Sequence, residues 1–256
     1  MKINNISLYK PFTTQKINKN NPIKNYQTQT FAGVFDVFKK QNDKPLTEEE
    51  IKSKNISQVF ESAKRGYKSL QKSGKVFSKE LNYLLRLGAG KDYKGGFPYL
   101  NREGKMSNVT FSEFDEELNV PTFVNLWTDG KPKSVYEIYL VKPQSLFHLT
   151  SFGEDSVTEF NFAGANLLEY LYKTNSGDAI MIYPSDDGFI QRYGKQINNN
   201  ESFLMSELYY DKKHPEKSYY IENGETELTK YEFDKEKNLW IKTGTISQSD
   251  FDAEED

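Results

Sequence analysis

Apolar residues along the chain fall into three regimes of spacing, and each predicts a different kind of structure. From Met1 to about Pro45 they are isolated (Ile3, Ile6, Leu8, Phe12) among Asn, Lys, Gln and Thr, with neither a helical nor an alternating period. Such a stretch cannot bury enough surface to offset chain entropy, which predicts a disordered leader over 1–45. The patch Phe31-Ala32-Gly33-Val34-Phe35-Asp36-Val37-Phe38 is its exception, and reads either as a strand or turn packed on the domain or as a partner-binding segment.

From Leu46 the spacing becomes helical. Thr47, followed by Glu48, Glu49 and Glu50, supplies an N-cap and an acidic first turn. Ile51, Ile56, Val59, Phe60, Ala63, Tyr67 and Leu70 then recur along one side, predicting a helix over about 47–72 with a break near Asn55. Ser73-Gly74 reads as its stop, and Ser78 as the cap of a second helix with Leu81, Leu84, Leu85 and Leu87, ended by Gly88-Ala89-Gly90. Gly88-Ala89-Gly90-Lys91 follows a helix rather than opening one, which is the wrong geometry for cradling a phosphate.

From Asn108 the period changes to two. Val109, Phe111 and Phe114 mark one strand, Pro121 to Thr128 a second and Val135 to Val141 a third, with Thr128-Asp129-Gly130-Lys131 as a hairpin turn. Ser151 to Lys195 then reads as a polar loop, a short amphipathic helix from Phe162, a buried strand at Asp178 to Tyr183 and a second short helix ending at Tyr193-Gly194. Strands follow at Ser202 to Tyr210, Lys217 to Ile221, Glu227 to Asp234 and Leu239 to Lys242, with Asn223-Gly224 as a hairpin signal. Residues 46–245 therefore read as a single domain, and 246–256 as an acidic, solvated tail.

Composition narrows the chemistry. With 36% hydrophobic residues and 14% aromatics the chain can build an aromatic-rich core, and a net charge of −3 gives no overall footprint for nucleic acid or an anionic membrane. There is no cysteine and only His148 and His214, which excludes disulfides and thiolate chemistry and argues against a multi-histidine metal site. No apolar run approaches the roughly 18 residues of a membrane span, and no secretory signal is visible, so a cytoplasmic protein is the expectation. Asp186-Asp187-Gly188 reads as a turn and cap rather than a cation site.

The order of helices, a three-stranded meander, a loop, a helix, a strand and a helix ending in an aromatic-Gly pair resembles the GNAT acyltransferase superfamily. The resemblance spans about Leu46 to Tyr210 and rests on Gly164 and the Leu167-Leu168 pair, and on Phe189 and Gly194 in Asp187-Gly188-Phe189-Ile190-Gln191-Arg192-Tyr193-Gly194-Lys195. It implies an α+β fold, a mixed and mostly antiparallel sheet with helices on both faces, here extended by C-terminal hairpins. It also implies acetyl-CoA as cofactor, its pyrophosphate held by the backbone of Phe162, Ala163, Gly164 and Ala165, and Val141 ending the strand that meets the thioester. Glu159 and Phe162 stand where the family has Arg or Gln and Gly, and Ile190 where many members have a tyrosine, so the cofactor loop is degenerate.

Under that resemblance Glu137 or His148 is the general base, and Tyr193, or alternatively Tyr183, supplies the proton that Ile190 cannot. The implied reaction is acyl transfer to an amine of a small molecule or a protein. The alternative is an inactive fold that serves as a protein-interaction module.

Overall fold

The structure, a computed structural model, describes residues 46–88, 96–101, 104–115, 120–139, 146–196, 202–224 and 227–247, all within the compact unit Leu46–Asp256. The expected leader, its Phe31–Phe38 patch and the acidic tail lie outside the described residues.

One helix, α1 (Glu48–Gly88), runs unbroken for 41 residues. Its start is a reciprocal cap: the Glu50 amide donates to Thr47 Oγ1 at 3.2 Å, and the Thr47 amide donates to Glu50 Oε2 at 2.8 Å. The helix passes through both Asn55 and Ser73-Gly74, where the sequence suggested breaks. Gly74 is required by packing rather than by termination, since a Cβ there would lie 2.2 Å from the Ala165 carbonyl oxygen and 2.9 Å from the Phe162 ring.

Among the described residues all remaining regular structure, apart from a 3-10 turn at Pro215–Lys217, is antiparallel strand. The first half of the sheet comprises β1 (Phe97–Leu100), β2 (Met106–Asp115), β3 (Val120–Thr128), β4 (Lys131–Tyr139), β5 (Leu146–Phe152), β6 (Ser156–Ala163) and β7 (Asn166–Thr174). The second half comprises β8 (Asp178–Pro184), β9 (Gly188–Gln196), β10 (Ser202–Asp211), β11 (Tyr219–Asn223), β12 (Glu227–Asp234) and β13 (Leu239–Ser247). The 13 strands lie in sequence order, each paired with the next. The Asp129-Gly130 turn has positive φ at both positions (53° and 72°), the conformation for which Asp-Gly is selected in two-residue hairpins.

The helix lies across the strands rather than along them. Its 41 residues come to about 60 Å at about 1.5 Å per residue. Twelve inter-strand gaps of about 4.8 Å also come to about 60 Å, so one helix is long enough to cross the whole sheet. Packing follows that path. Phe60 stacks on Trp240 of β13, Tyr67 meets Phe189 of β9, Phe77 meets Phe160 of β6, and Tyr83 meets Tyr99 of β1. Three hydrogen bonds tie the helix to the sheet: the Trp240 amide donates to Ser53 Oγ, and Tyr99 and Tyr136 donate to the two carboxylate oxygens of Glu80.

The core divides accordingly. Leu81 and Leu84 pack on Val109, Val124, Tyr136, Phe147, Phe160 and Phe162, while Ile56, Phe60 and Ala63 pack on Ile182, Phe189, Leu208, Tyr231 and Trp240. Among the described residues no regular element covers the opposite face of the sheet.

The implied α+β architecture with helices on both faces is overturned, and with it the likeness to the GNAT superfamily, by this single-helix, all-antiparallel meander. The helix expected from Phe162 is the β6–β7 hairpin, and the one expected over Phe189–Gly194 is β9. Phe162, Leu167 and Tyr170 suit a helical spacing, but Gly164 at φ 60° turns the chain between them, and Phe160 and Phe162 face the core by alternation.

Candidate functional site

Strand alternation puts a second set of side chains on the face turned away from α1. On β4 the residues Ser134, Tyr136 and Ile138 point to the helix side, and Val135, Glu137 and Tyr139 to the other. Register then assembles a row: Phe123 stands opposite Glu137, Glu137 opposite His148, His148 opposite Asn161, and Asn161 opposite Glu169. Two residue pairs along, on the same face, Thr150 is opposite Glu159, and Arg192 is opposite Glu207 further across the sheet.

Two of the three catalytic candidates, Glu137 and His148, therefore meet on adjacent strands. Glu137 is only 7% exposed, and its Oε2 accepts a hydrogen bond from the Tyr139 hydroxyl at 2.9 Å. Burial first, and then the bond to Glu137, pushes the Tyr139 phenol up to about 12.

His148 is held from both ring nitrogens. Asn161 Nδ2 donates to Glu169 Oε2 at 2.7 Å, which turns Asn161 Oδ1 towards His148 Nδ1 at 2.6 Å. With an acceptor facing it, Nδ1 carries the proton, and Nε2 is left to accept from Thr150 Oγ1 at 3.0 Å. Glu159 Oε2 lies 3.9 Å from Nε2 and receives the ring if Nε2 is protonated. Glu169, Asn161 and His148 thus form a chain in which each member orients the next.

Two rings are exposed on the same face, Tyr139 two residues beyond Glu137 on β4 and Trp127 near the β3–β4 turn. The Trp127 indole N–H donates to Thr110 Oγ1 at 3.2 Å, which fixes the ring in place. Further across the same face Arg192 Nε donates to Glu207 Oε2 at 2.7 Å, and the Tyr219 hydroxyl donates to Glu207 Oε1 at 2.7 Å. Burial, followed by the Glu207 charge, holds the Tyr219 phenol far above its ordinary value.

Tyr193, the third catalytic candidate, is not part of this row. It stands on β9 opposite Ile180, on the helix side, and its hydroxyl donates to Asp178 Oδ1 at 2.9 Å. The hydrogen bonds from Ser176 and Tyr193 lower the Asp178 carboxyl below its usual range. Of the residues assigned to the cofactor, Val141 lies outside the described residues. Phe162 is a core residue, 1% exposed and stacked on Phe147 at 4.9 Å. Ala163, Gly164 and Ala165 make the β6–β7 turn, whose Gly164 carbonyl accepts from Ser78 Oγ at 2.7 Å, and a strand rather than a helix follows them.

Sequence reasoning missed Thr150, Asn161 and Glu169. The alternation in Phe160-Asn161-Phe162 carries the signal, since it sets Asn161 on the face opposite two core phenylalanines. Asp186-Asp187-Gly188 is the β8–β9 turn, closed by the Ser185 amide donating to the Gly188 carbonyl at 3.1 Å. Among the described residues no three His, Asp or Glu side chains are placed to hold a metal ion, and no helix is long and apolar enough to cross a membrane.

The Tyr139–Glu137 pair makes a prediction at high pH. Below about pH 10 the folded and unfolded chains both keep this phenol proton. Between 10 and about 12 the unfolded chain releases it first, so the stability lent by the protonated phenol is lost as pH rises through the folded value. Ultraviolet titration is expected to show a phenolate transition near 12 that is missing from Tyr139→Phe and displaced downward in Glu137→Gln. An unchanged titration in Glu137→Gln contradicts the pairing.

No protein-family model matches the chain, and no curated protein matches it. Among solved structures it is similar to a protein of unknown function from Bacteroides fragilis, with 10% identity over 64% of this chain and 98% of that one and a TM-score of 0.14.

Proposed function

We propose that this chain is a protein-interaction module whose docking surface is the face of β3–β7 turned away from α1, and that its partner presents a basic segment. The observation that carries the reading is the gathering of Glu159 and Glu169 around a doubly held His148, with the Tyr139 and Trp127 rings exposed on the same face. Carboxylates attract lysine and arginine head groups, and open aromatic faces add cation–π contact with the same groups. The Glu169–Asn161–His148 chain fixes the surface before the partner arrives, so less side-chain freedom is lost on binding. Proton-transfer chemistry is less well served here, because an open sheet face leaves bound groups wet and weakens electrostatic stabilisation of a reacting centre.

The test uses Trp127 as a reporter, since Trp240, the other tryptophan, is buried in the core. Titration with an arginine-rich peptide is expected to give a saturable fluorescence change that a glutamate-rich peptide does not. The Glu159→Gln/Glu169→Gln double variant is expected to bind about 5–30-fold more weakly, as two partly screened charges of about 0.5–1 kcal/mol each would give. Equal binding of the acidic peptide, or an unaltered double variant, would sink the reading.

A further inference from the structure

On the other side of the sheet, where the first half of α1 passes over β10, β12 and β13, lies a cleft of about 220 Å³. Its walls are aromatic. Phe60 and Trp240 stack with centroids 4.0 Å apart, Phe233 meets Trp240 edge-on at 5.5 Å, and Tyr210 closes the side towards β10. Into this apolar setting the helix places one cation, Lys64, whose Nζ sits 5.3 Å from the Tyr210 ring centroid. Ser218, almost fully buried, lines the cleft as well. Its Oγ accepts from the Asp211 amide at 3.0 Å, so its own hydrogen is available to a guest.

The counter-ion of Lys64 identifies the guest. Glu61, one turn earlier on α1, pairs with Lys64, yet the Glu61 side chain is 58% exposed while that of Lys64 is 26% exposed. The Lys64 side chain is thus largely withdrawn from water, and its partner is an exposed carboxylate at the rim. A pair of this kind is weakly held, so another carboxylate can take its place if it brings apolar surface for the walls to cover. A cationic guest is disfavoured, because Lys64 already occupies the face of Tyr210 that would receive it. The volume lies below the roughly 300 Å³ at which sites for drug-sized ligands begin, so a single ring with a short acidic arm fits and a nucleotide does not.

We infer that this cleft binds a small aromatic carboxylate, its ring lying against the cleft-facing surfaces of Phe60, Trp240 and Phe233 and its carboxylate on Lys64. The site is independent of the basic-partner surface on the opposite face. Trp240 forms part of the wall, so its fluorescence reports occupancy once Trp127 is removed.

The experiment titrates phenylacetate and its neutral counterpart phenylacetamide into the full chain carrying Trp127→Phe. Phenylacetate is expected to give a saturable change at sub-millimolar to millimolar concentration, at least ten-fold tighter than phenylacetamide. Adding Lys64→Met is expected to weaken phenylacetate at least ten-fold, with Lys64→Arg retaining binding and Glu61→Gln tightening it several-fold by removing the internal competitor. Thermal melts of the Lys64 variants, at a half-buried position within α1, check that the fold is intact. No saturable change, equal binding of the amide, or binding indifferent to Lys64→Met would overturn the inference.

Discussion

Replacing Phe162 by alanine is expected to lower the unfolding free energy by about 3–5 kcal/mol, the range for truncating a buried aromatic side chain. The ring is 1% exposed, stacks on Phe147 at 4.9 Å and Phe160 at 5.8 Å, and lies 6.0 Å from Phe77 of α1. Removing it strips the β5–β6 pair of its central ring and takes away the surface against which Gly74 lets the helix settle. Collapse of the site is limited, because α1 is pinned there by the Ser78 bond to the Gly164 carbonyl. Chemical denaturation of Phe162→Ala measures the effect. A loss below about 1 kcal/mol is what an exposed loop residue would give, and it contradicts the placement of Phe162 in the core.

The second large effect concerns the charge pair on the other face. Arg192→Met leaves the Glu207 carboxylate, 2% exposed, without its cation, and only the Tyr219 hydroxyl remains among the two bonds described above. Breaking a buried pair from one side costs about 3–5 kcal/mol, and because Arg192 is itself partly exposed a value of about 3 kcal/mol is expected. The double variant Arg192→Met/Glu207→Gln is expected to recover most of that loss, since removing both charges removes the stranded one. Additive losses in this cycle contradict the pairing.

Much of the β half was legible where alternation was strict. The strands at Val109–Phe111, Pro121–Thr128 and Val135–Tyr139, the Asp129-Gly130 turn and the C-terminal hairpins follow the pattern of the residues. The start of α1 was legible too, because Thr47 and Glu50 are the two halves of a cap. Its length was not. Gly74 looks like a stop when only local propensity is weighed, and its reason, the Ala165 carbonyl beneath it, lies far along the chain. The same limit misled the reading of Phe162 to Tyr193. Short segments rich in Leu, Phe and Tyr satisfy helical and strand spacing alike, and tertiary pairing decides between them. The resemblance to an acyltransferase rested on the helical choice and fell with it.

At the site, the pairing of Glu137 with His148 was within reach, since both were picked out as polar residues on or beside a strand. Tyr193 was placed wrongly with them because a helix was expected where β9 runs. Asn161 and Glu169, which orient His148, were hidden inside the segment read as loop and helix.

The arrangement depends on one continuous helix lying across the sheet, with no other described α-helix on either face. The chain has no cysteine, so Glu49→Cys and Arg86→Cys give two unique, exposed positions for spin labels. Double electron–electron resonance between them is expected to give a single distance near 55 Å, the length of the intervening helix at about 1.5 Å per residue. A broad distribution, or a distance below about 45 Å, would mean that the helix breaks near Gly74 and would contradict the account.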